Sequence, residues 1–146
     1  MKTAVFPGSF DPITTGHMAL IKKALTLFDK IIIAVGVNRD KKEFLPLDER
    51  LTRIKKATEE MPQVEVESYD CLTTDFCRKH NARFILRGIR DTSDFEYERR
   101  IADINRTVAP EIETVFLLAD PSQAIISSTM VRELAAFGKD VSEYMA

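Results

Sequence analysis

Residues 31–37, IIIAVGV, are the longest strongly apolar run in the chain, and the run does not alternate. A strand with one face in water alternates polar and apolar residues. A strand apolar throughout has to be covered on both faces, as in the interior of a parallel sheet. Parallel neighbours cannot be joined by a hairpin and need crossovers, usually helical. The rest of the chain supplies both parts. Short strand signals at residues 3–6, 64–66, 83–86 and 114–118 alternate with stretches of helical apolar spacing. After His17 the helical set is Met18, Leu20, Ile21, Ala24, Leu25 and Phe28. After residues 47–50 it is Leu51, Ile54, Ala57 and Met61, with Pro62 beyond the end. A short helix is expected over 72–80, and a long one over 93–109 with Phe95, Ile101, Ile104 and Val108 as its buried side. A hydroxyl-rich turn then opens the last helix in residues 125–137, IISSTMVRELAAF. The expected fold is α/β: one domain over residues 1–146, built on a doubly wound five-stranded parallel sheet with right-handed crossovers.

Charge narrows the partners. The 21 basic and 23 acidic residues are intermixed and leave a net charge of −2, so no overall field favours nucleic acid or anionic lipid. A polyanion would have to be held in a local pocket. No apolar run approaches the ~20 residues that span a bilayer. A strand starting at residue 3 leaves no room for a signal peptide, so cytoplasm is the expected compartment. Cys71 and Cys77 are six apart, neither a CxxC pair nor a zinc-ligand set, and are expected to be reduced core thiols.

Four polar segments follow the strands: residues 7–17, 38–42, 87–90 and 122–129. In doubly wound sheets ligands bind beyond the carboxyl ends of the strands, so these segments should converge. The first reads PGSFDPITTGH. Its histidine, His17, falls at a helix start, where free amides and the helix dipole favour a phosphate, and Gly16 permits close approach. The competing reading makes Thr14 or Thr15 an N-cap and His17 a surface residue. Neither GxxxxGK[ST] nor GxGxxG is present. No Ser-His-Asp or Cys-His arrangement suggests a protein nucleophile. Asp11 reads as a turn residue before Pro12, and His80 as a solvated helix end. Tyr97, Arg99 and Arg100 read as one exposed side of the long helix, and Phe76 and Phe116 as core.

The loop G-S-F-D-P-I-T-x-G-H resembles the signature of the nucleotidyltransferase superfamily, whose [HT]xGH motif is matched by Thr14-Thr15-Gly16-His17. The superfamily's serine-rich turn is matched by Ile126-Ser127-Ser128-Thr129. Mononucleotide adenylyltransferases that make NAD share both elements, and their ISSTxxR pattern resembles the stretch ending in Arg132. Residues 85–98, ILRGIRDTSDFEYE, are instead similar to the RG[IL]R…DFEYE motif of the phosphopantetheine adenylyltransferases. Lys41-Lys42, LDERL at 47–51 and Ile104-Asn105-Arg106 fit the same family. Two stretches depart from its pattern: residues 72–76, and Gln123-Ala124 where an aromatic residue is usual.

The resemblance implies a Rossmann-like nucleotidyltransferase fold. It implies transfer of an adenylyl group from ATP to 4′-phosphopantetheine, in a cytoplasmic homohexamer with Mg²⁺ held mainly by phosphates rather than by protein ligands. His17, Lys41 and Arg90 would carry the catalytic charge stabilisation. Ser9, Phe10, His17, Gly88, Ile89, Arg90 and Glu98 would contact ATP, together with Gln123, Ala124, Ile125, Ile126, Ser127, Ser128 and Thr129. Ser9, Lys41, Thr73 and Arg87 would hold the second substrate. A phosphate monoester is largely a dianion at neutral pH, its second pKa being about 6, so it needs no general base. A nicotinate or nicotinamide mononucleotide adenylyltransferase, and a non-catalytic nucleotide-binding regulator on the same scaffold, remain the alternatives at this point.

Overall fold

Side chains along β1 (Thr3–Gly8) and β2 (Lys30–Gly36) point alternately into two cores, and both sets are apolar. Ala4, Phe6, Ile31, Ile33 and Val35 face Leu20, Ile21 and Ala24 of α1 (Thr15–Ala24) and Ile54 of α2 (Leu47–Ala57). Val5, Ile32 and Ala34 face Phe76 and Cys77 of α3 (Thr73–Lys79) and Ala109, which ends α4 (Thr92–Val108). Ile31, Ile32 and Ile33 have no exposed surface, the two-sided cover that an unbroken apolar strand demands. With β3 (Val64–Tyr69), β4 (Phe84–Ile89) and β5 (Glu113–Leu118) these strands form an all-parallel sheet in the order β3-β2-β1-β4-β5. A last helix, α5 (Ser128–Ala136), and a short 3-10 turn (Ser142–Tyr144) follow. The computed structural model describes residues 1–38 and 40–146; residue 39, in the polar segment 38–42, lies outside the described residues.

This is the expected doubly wound α/β sheet. The chain moves outward from β1 to β3, then returns to place β4 on the other side of β1. That reversal leaves a crevice beyond the carboxyl ends of β1 and β4, where such folds bind ligands.

The structure corrects several expectations. Phe95, Ile101, Ile104 and Val108 are not the buried side of the long helix; they are 37–62% exposed. The inward stripe is Glu98, Ala102, Asn105 and Ala109, spaced four, three and four apart. Small and polar residues carry the packing, so counting large apolar residues selects the neighbouring stripe. Phe116 is only half-buried, because β5 is an edge strand and its partner Phe95 is itself exposed. Cys71 is exposed in the β3–α3 loop, while Cys77 is buried and its thiol is pushed up to about 12 by that burial. His80 does end α3, as its C-cap, but it is not solvated: its ring packs on Phe76 at 4.3 Å between centroids, with Nε2 3.3 Å from Glu67. Arg87, Gly88 and Ile89 belong to β4 rather than to the loop after it.

Deleting side-chain volume at the fully buried Ile33, shared between β2 and the α1–α2 core, should be expensive. Ile33→Ala is expected to lower unfolding free energy by about 2–5 kcal/mol. The check is a denaturant titration in which the midpoint falls while the slope is unchanged.

Candidate active site

The loop between β1 and α1 builds the centre of the crevice. Thr14 is the N-cap of α1 and its hydroxyl accepts the His17 N–H at 3.3 Å. In return the Thr14 N–H donates to Nδ1 of His17 at 2.9 Å, so histidine fills the place that Glu or Gln takes in a capping box. A backbone N–H can only donate, so Nδ1 carries no proton and the neutral ring bears its proton on Nε2. Phe10 and Phe6 flank the ring, with centroids at 4.9 and 6.1 Å. Phe10 itself takes a left-handed φ of 47° while only 2% exposed, a strained backbone held by its packing. Burial first, then the positive fields of Arg87 and Arg90, lower the His17 pKa to about 4. Thr14 is thus the N-cap of α1, and His17 is its half-buried partner in that cap rather than a surface residue.

Gly16 lets the start of α5 come alongside. A Cβ at Gly16 would lie 3.1 Å from the Ile126 carbonyl oxygen, and Thr15 donates its hydroxyl to the Gln123 side chain at 3.0 Å. Ser127 caps α5 by accepting the Met130 N–H, Ser128 donates to the Pro12 carbonyl at 2.7 Å, and Thr129 accepts from Arg132. The Ser127 and Thr129 hydroxyls thus shape the turn and Ser128 ties it to the β1–α1 loop, while the Ser128 and Thr129 amides are the donors the helix start offers. Two helix starts open onto one cleft of about 290 Å³.

Cations line the same cleft. Arg87 meets Glu98 fork to fork, with Nε–Oε2 at 2.8 Å and the second contact at 2.6 Å, and donates a third bond to the Pro7 carbonyl. Glu98 is 6% exposed. Arg90 is held by Asp94, whose carboxylate accepts both its backbone N–H and its Nε–H at 3.0 Å. Lys41 and Arg132 complete the set, Arg132 donating to the Asp11 carbonyl at 2.8 Å. Among the described residues no group of three or more His, Cys, Asp or Glu side chains is arranged to hold a metal.

All but four of the expected site residues line this cleft. Thr73 lines an adjoining cavity of about 190 Å³ that shares Pro7, Gly8, Arg87 and Glu98, and its hydroxyl meets that of Tyr69 at 2.9 Å. Ile89 is buried core, Ala124 is half-buried away from the cleft, and Ile125 is 76% exposed. Asp94 and Tyr69 were not singled out by sequence reasoning, and Arg132 only as part of a shared pattern. The signal for Asp94 lies in the sequence: it stands four residues after Arg90, the spacing of an ion pair at a helix start.

The family model described as cytidylyltransferase-like matches residues 5–134. The chain is 50% identical over 145 residues to the phosphopantetheine adenylyltransferase of Phocaeicola vulgatus, covering 99% of this chain and 95% of that one. It is 47% identical to the phosphopantetheine adenylyltransferase of Bacteroides fragilis, covering 99% and 96%. The chain belongs to the phosphopantetheine adenylyltransferase family. Among solved structures, a bifunctional NMN adenylyltransferase/ADP ribose pyrophosphatase from Francisella tularensis superimposes with a TM-score of 0.73 at 21% identity. That match covers 99% of this chain but 44% of the larger protein, and shows the shared nucleotidyltransferase fold. As a member of the family the chain is a nucleotidyltransferase, an enzyme of coenzyme A biosynthesis. Among the described residues no helix is long and apolar enough to cross a membrane.

Two stability outcomes follow from this geometry. Arg87→Ala strands the buried Glu98 carboxylate and is expected to cost about 3–5 kcal/mol, whereas Arg87→Ala with Glu98→Gln recovers part of the loss. His17 has its pKa lowered on folding, from 6.5 to about 4. Between these values the unfolded chain binds a proton that the folded chain does not. This contribution to stability is therefore intact above pH 6.5 and is lost as pH falls toward 4. In His17→Asn, denaturation midpoints measured across that window should fall less steeply than in the parent.

Proposed function

We propose that the cleft catalyses attack of the phosphate of 4′-phosphopantetheine on the α-phosphorus of ATP, giving dephospho-coenzyme A and pyrophosphate. One P–O bond forms at the α-phosphorus and the bond to the β-phosphate oxygen breaks, with the electron pair leaving on pyrophosphate. No proton has to move when the nucleophile is a dianion. The observation that carries this reading is the His17 ring: neutral, fixed by Thr14 as the Nε2–H tautomer, and lying in the positive fields of Arg87 and Arg90. Such a ring is a donor for a developing negative oxygen and a poor base. It stabilises charge where charge grows in the transition state.

The other roles follow from which donors remain. Of the five N–H groups of Arg87, two are bound by Glu98 and one by Pro7, leaving two for a phosphate. With Lys41 it is assigned to the phosphate of the nucleophile, at the junction of the main cleft and the Tyr69–Thr73 cavity, where the pantetheine arm would lie. Arg90, Arg132 and the first amides of α5 are assigned to the triphosphate. The carboxylates of the cleft, Asp94 and Glu98, are each engaged by an arginine. A magnesium ion would therefore enter on the phosphates and supply charge neutralisation between them, keeping most of its ligands from phosphate and water.

The exposed stripe Tyr97, Ile101, Ile104 and Val108 on α4 supports self-association, and the homohexamer we propose rests on the family resemblance. Light scattering on a sizing column measures it. The two free thiols suit the cytoplasm.

Coupled pyrophosphate release with ATP and 4′-phosphopantetheine, against ATP with nicotinamide or nicotinate mononucleotide, is the direct test. Turnover is expected with the first pair alone. Equal turnover with a mononucleotide would refute the assignment. His17→Ala should cut kcat by about a hundredfold or more while ATP affinity by calorimetry stays nearly unchanged. The acid limb of kcat/KM should lie near pH 6, set by the phosphate ester, and should persist in His17→Asn, which keeps a donor and cannot titrate.

A further inference from the structure

Two charged side chains outside the assigned site are almost completely buried: Asp11 and Arg50, each 3% exposed. Charges are buried to that degree only when their hydrogen-bonding capacity is met. Their partners lie in two loops. The two carboxylate oxygens of Asp11 accept the Phe44 and Leu45 N–H groups at 2.8 and 2.7 Å. Arg50, in the first turn of α2, reaches the other way. Its Nε–H donates to the Leu45 carbonyl at 3.1 Å, one terminal nitrogen to the Ser9 carbonyl at 2.9 Å, and the other to the Glu43 carboxylate at 2.9 Å.

We propose that Asp11 and Arg50 are positioning residues that lock the loop after β2, which carries Lys41, onto the loop after β1, which carries Ser9. Neither side chain lines the cleft. Both act through backbone. The stretch they fix, residues 43–45, is the return limb of the loop whose tip bears Lys41, and Lys41 itself is exposed on a flexible stem. A lysine on such a stem contacts a phosphate productively only if the loop beneath it is held. Asp11 and Arg50 hold it from opposite sides of Leu45, one bonding its N–H and the other its carbonyl. The Asp11 main-chain carbonyl, which accepts from Arg132, is unaffected by changes to its side chain.

This inference rests on the reading of Lys41 as a contact to the phosphate of the second substrate. It is tested by a double-mutant cycle in the full chain. Asp11→Asn keeps the shape but replaces one acceptor by a donor facing a backbone N–H. It should raise KM for 4′-phosphopantetheine by roughly tenfold or more, with ATP affinity by calorimetry shifted by less than about threefold. Combined with Lys41→Ala, the double variant should fall within about threefold of Lys41→Ala alone, since the clamp acts through that lysine. Multiplying losses would overturn the clamp while leaving the role of Lys41 standing. An unchanged KM in Lys41→Ala would overturn the reading of Lys41 and the clamp with it. Should Asp11→Asn fail to fold, Arg50→Lys, which keeps the buried charge but cannot span three acceptors, enters the same cycle with the same outcomes.

Discussion

The fork between Arg87 and Glu98 joins three elements that the fold must bring together. Arg87 stands near the carboxyl end of β4, Glu98 one turn and a half into α4, and the third bond of the guanidinium reaches Pro7 on β1. It therefore spans the two strands between which the sheet reverses its winding and fastens the long helix across their ends. Glu98 is nearly inaccessible, so its charge is tolerable only with Arg87 in place. The cost of burying that pair is offset by what it fixes: the wall shared by the main cleft and the Tyr69–Thr73 cavity.

The same helix regulates the charge of the site. Asp94 and Glu98 stand four residues apart on one side of α4, each opposite an arginine of the strand end. Two carboxylates set against Arg87, Arg90, Lys41 and Arg132 leave a cleft that is cationic but not overwhelmingly so. That balance matters for His17. Arg87 and Arg90 already help to hold the ring neutral, and a stronger field would not improve it as a donor. A weaker one would leave the substrate phosphates, which repel one another, poorly matched. Pairing also removes conformational freedom from both arginines before substrate arrives, so less ordering has to accompany binding.

Much of this was legible in the sequence. The unbroken run at residues 31–37 required a two-faced parallel sheet, the strand and helix signals gave its five βα steps, and PGSFDPITTGH with IISST placed two helix starts at one crevice. What was not legible depends on contacts between segments far apart in the chain. The long helix misled because its inward residues, Glu98, Ala102 and Asn105, are polar or small, and no periodicity of large apolar side chains reports them. Arg50 looks like one more charged residue in the LDERL stretch, and only the fold shows it threaded between Ser9, Glu43 and Leu45. The Thr14–His17 pairing lay in between: a threonine with a partner three residues on suggests a capping box, but histidine in the second role is not the usual choice.

That unusual choice unites structure and chemistry. A glutamate at position 17 would also cap α1, but would place a negative charge where the proposed reaction gathers phosphates. A lysine would supply a positive charge but could not accept the Thr14 N–H. Histidine does both halves of the task because its two nitrogens are distinct. Nδ1, as acceptor, is spent on the helix cap, and that bond obliges the proton to sit on Nε2. Protonating Nδ1 would break the cap, so charging the ring is opposed by the local fold as well as by burial and the arginines. The ring is thereby kept in a single tautomer as a neutral donor across the pH range in which a phosphate ester is a dianion. In the proposed reaction the donor is oriented by Thr14, the same residue that caps the helix.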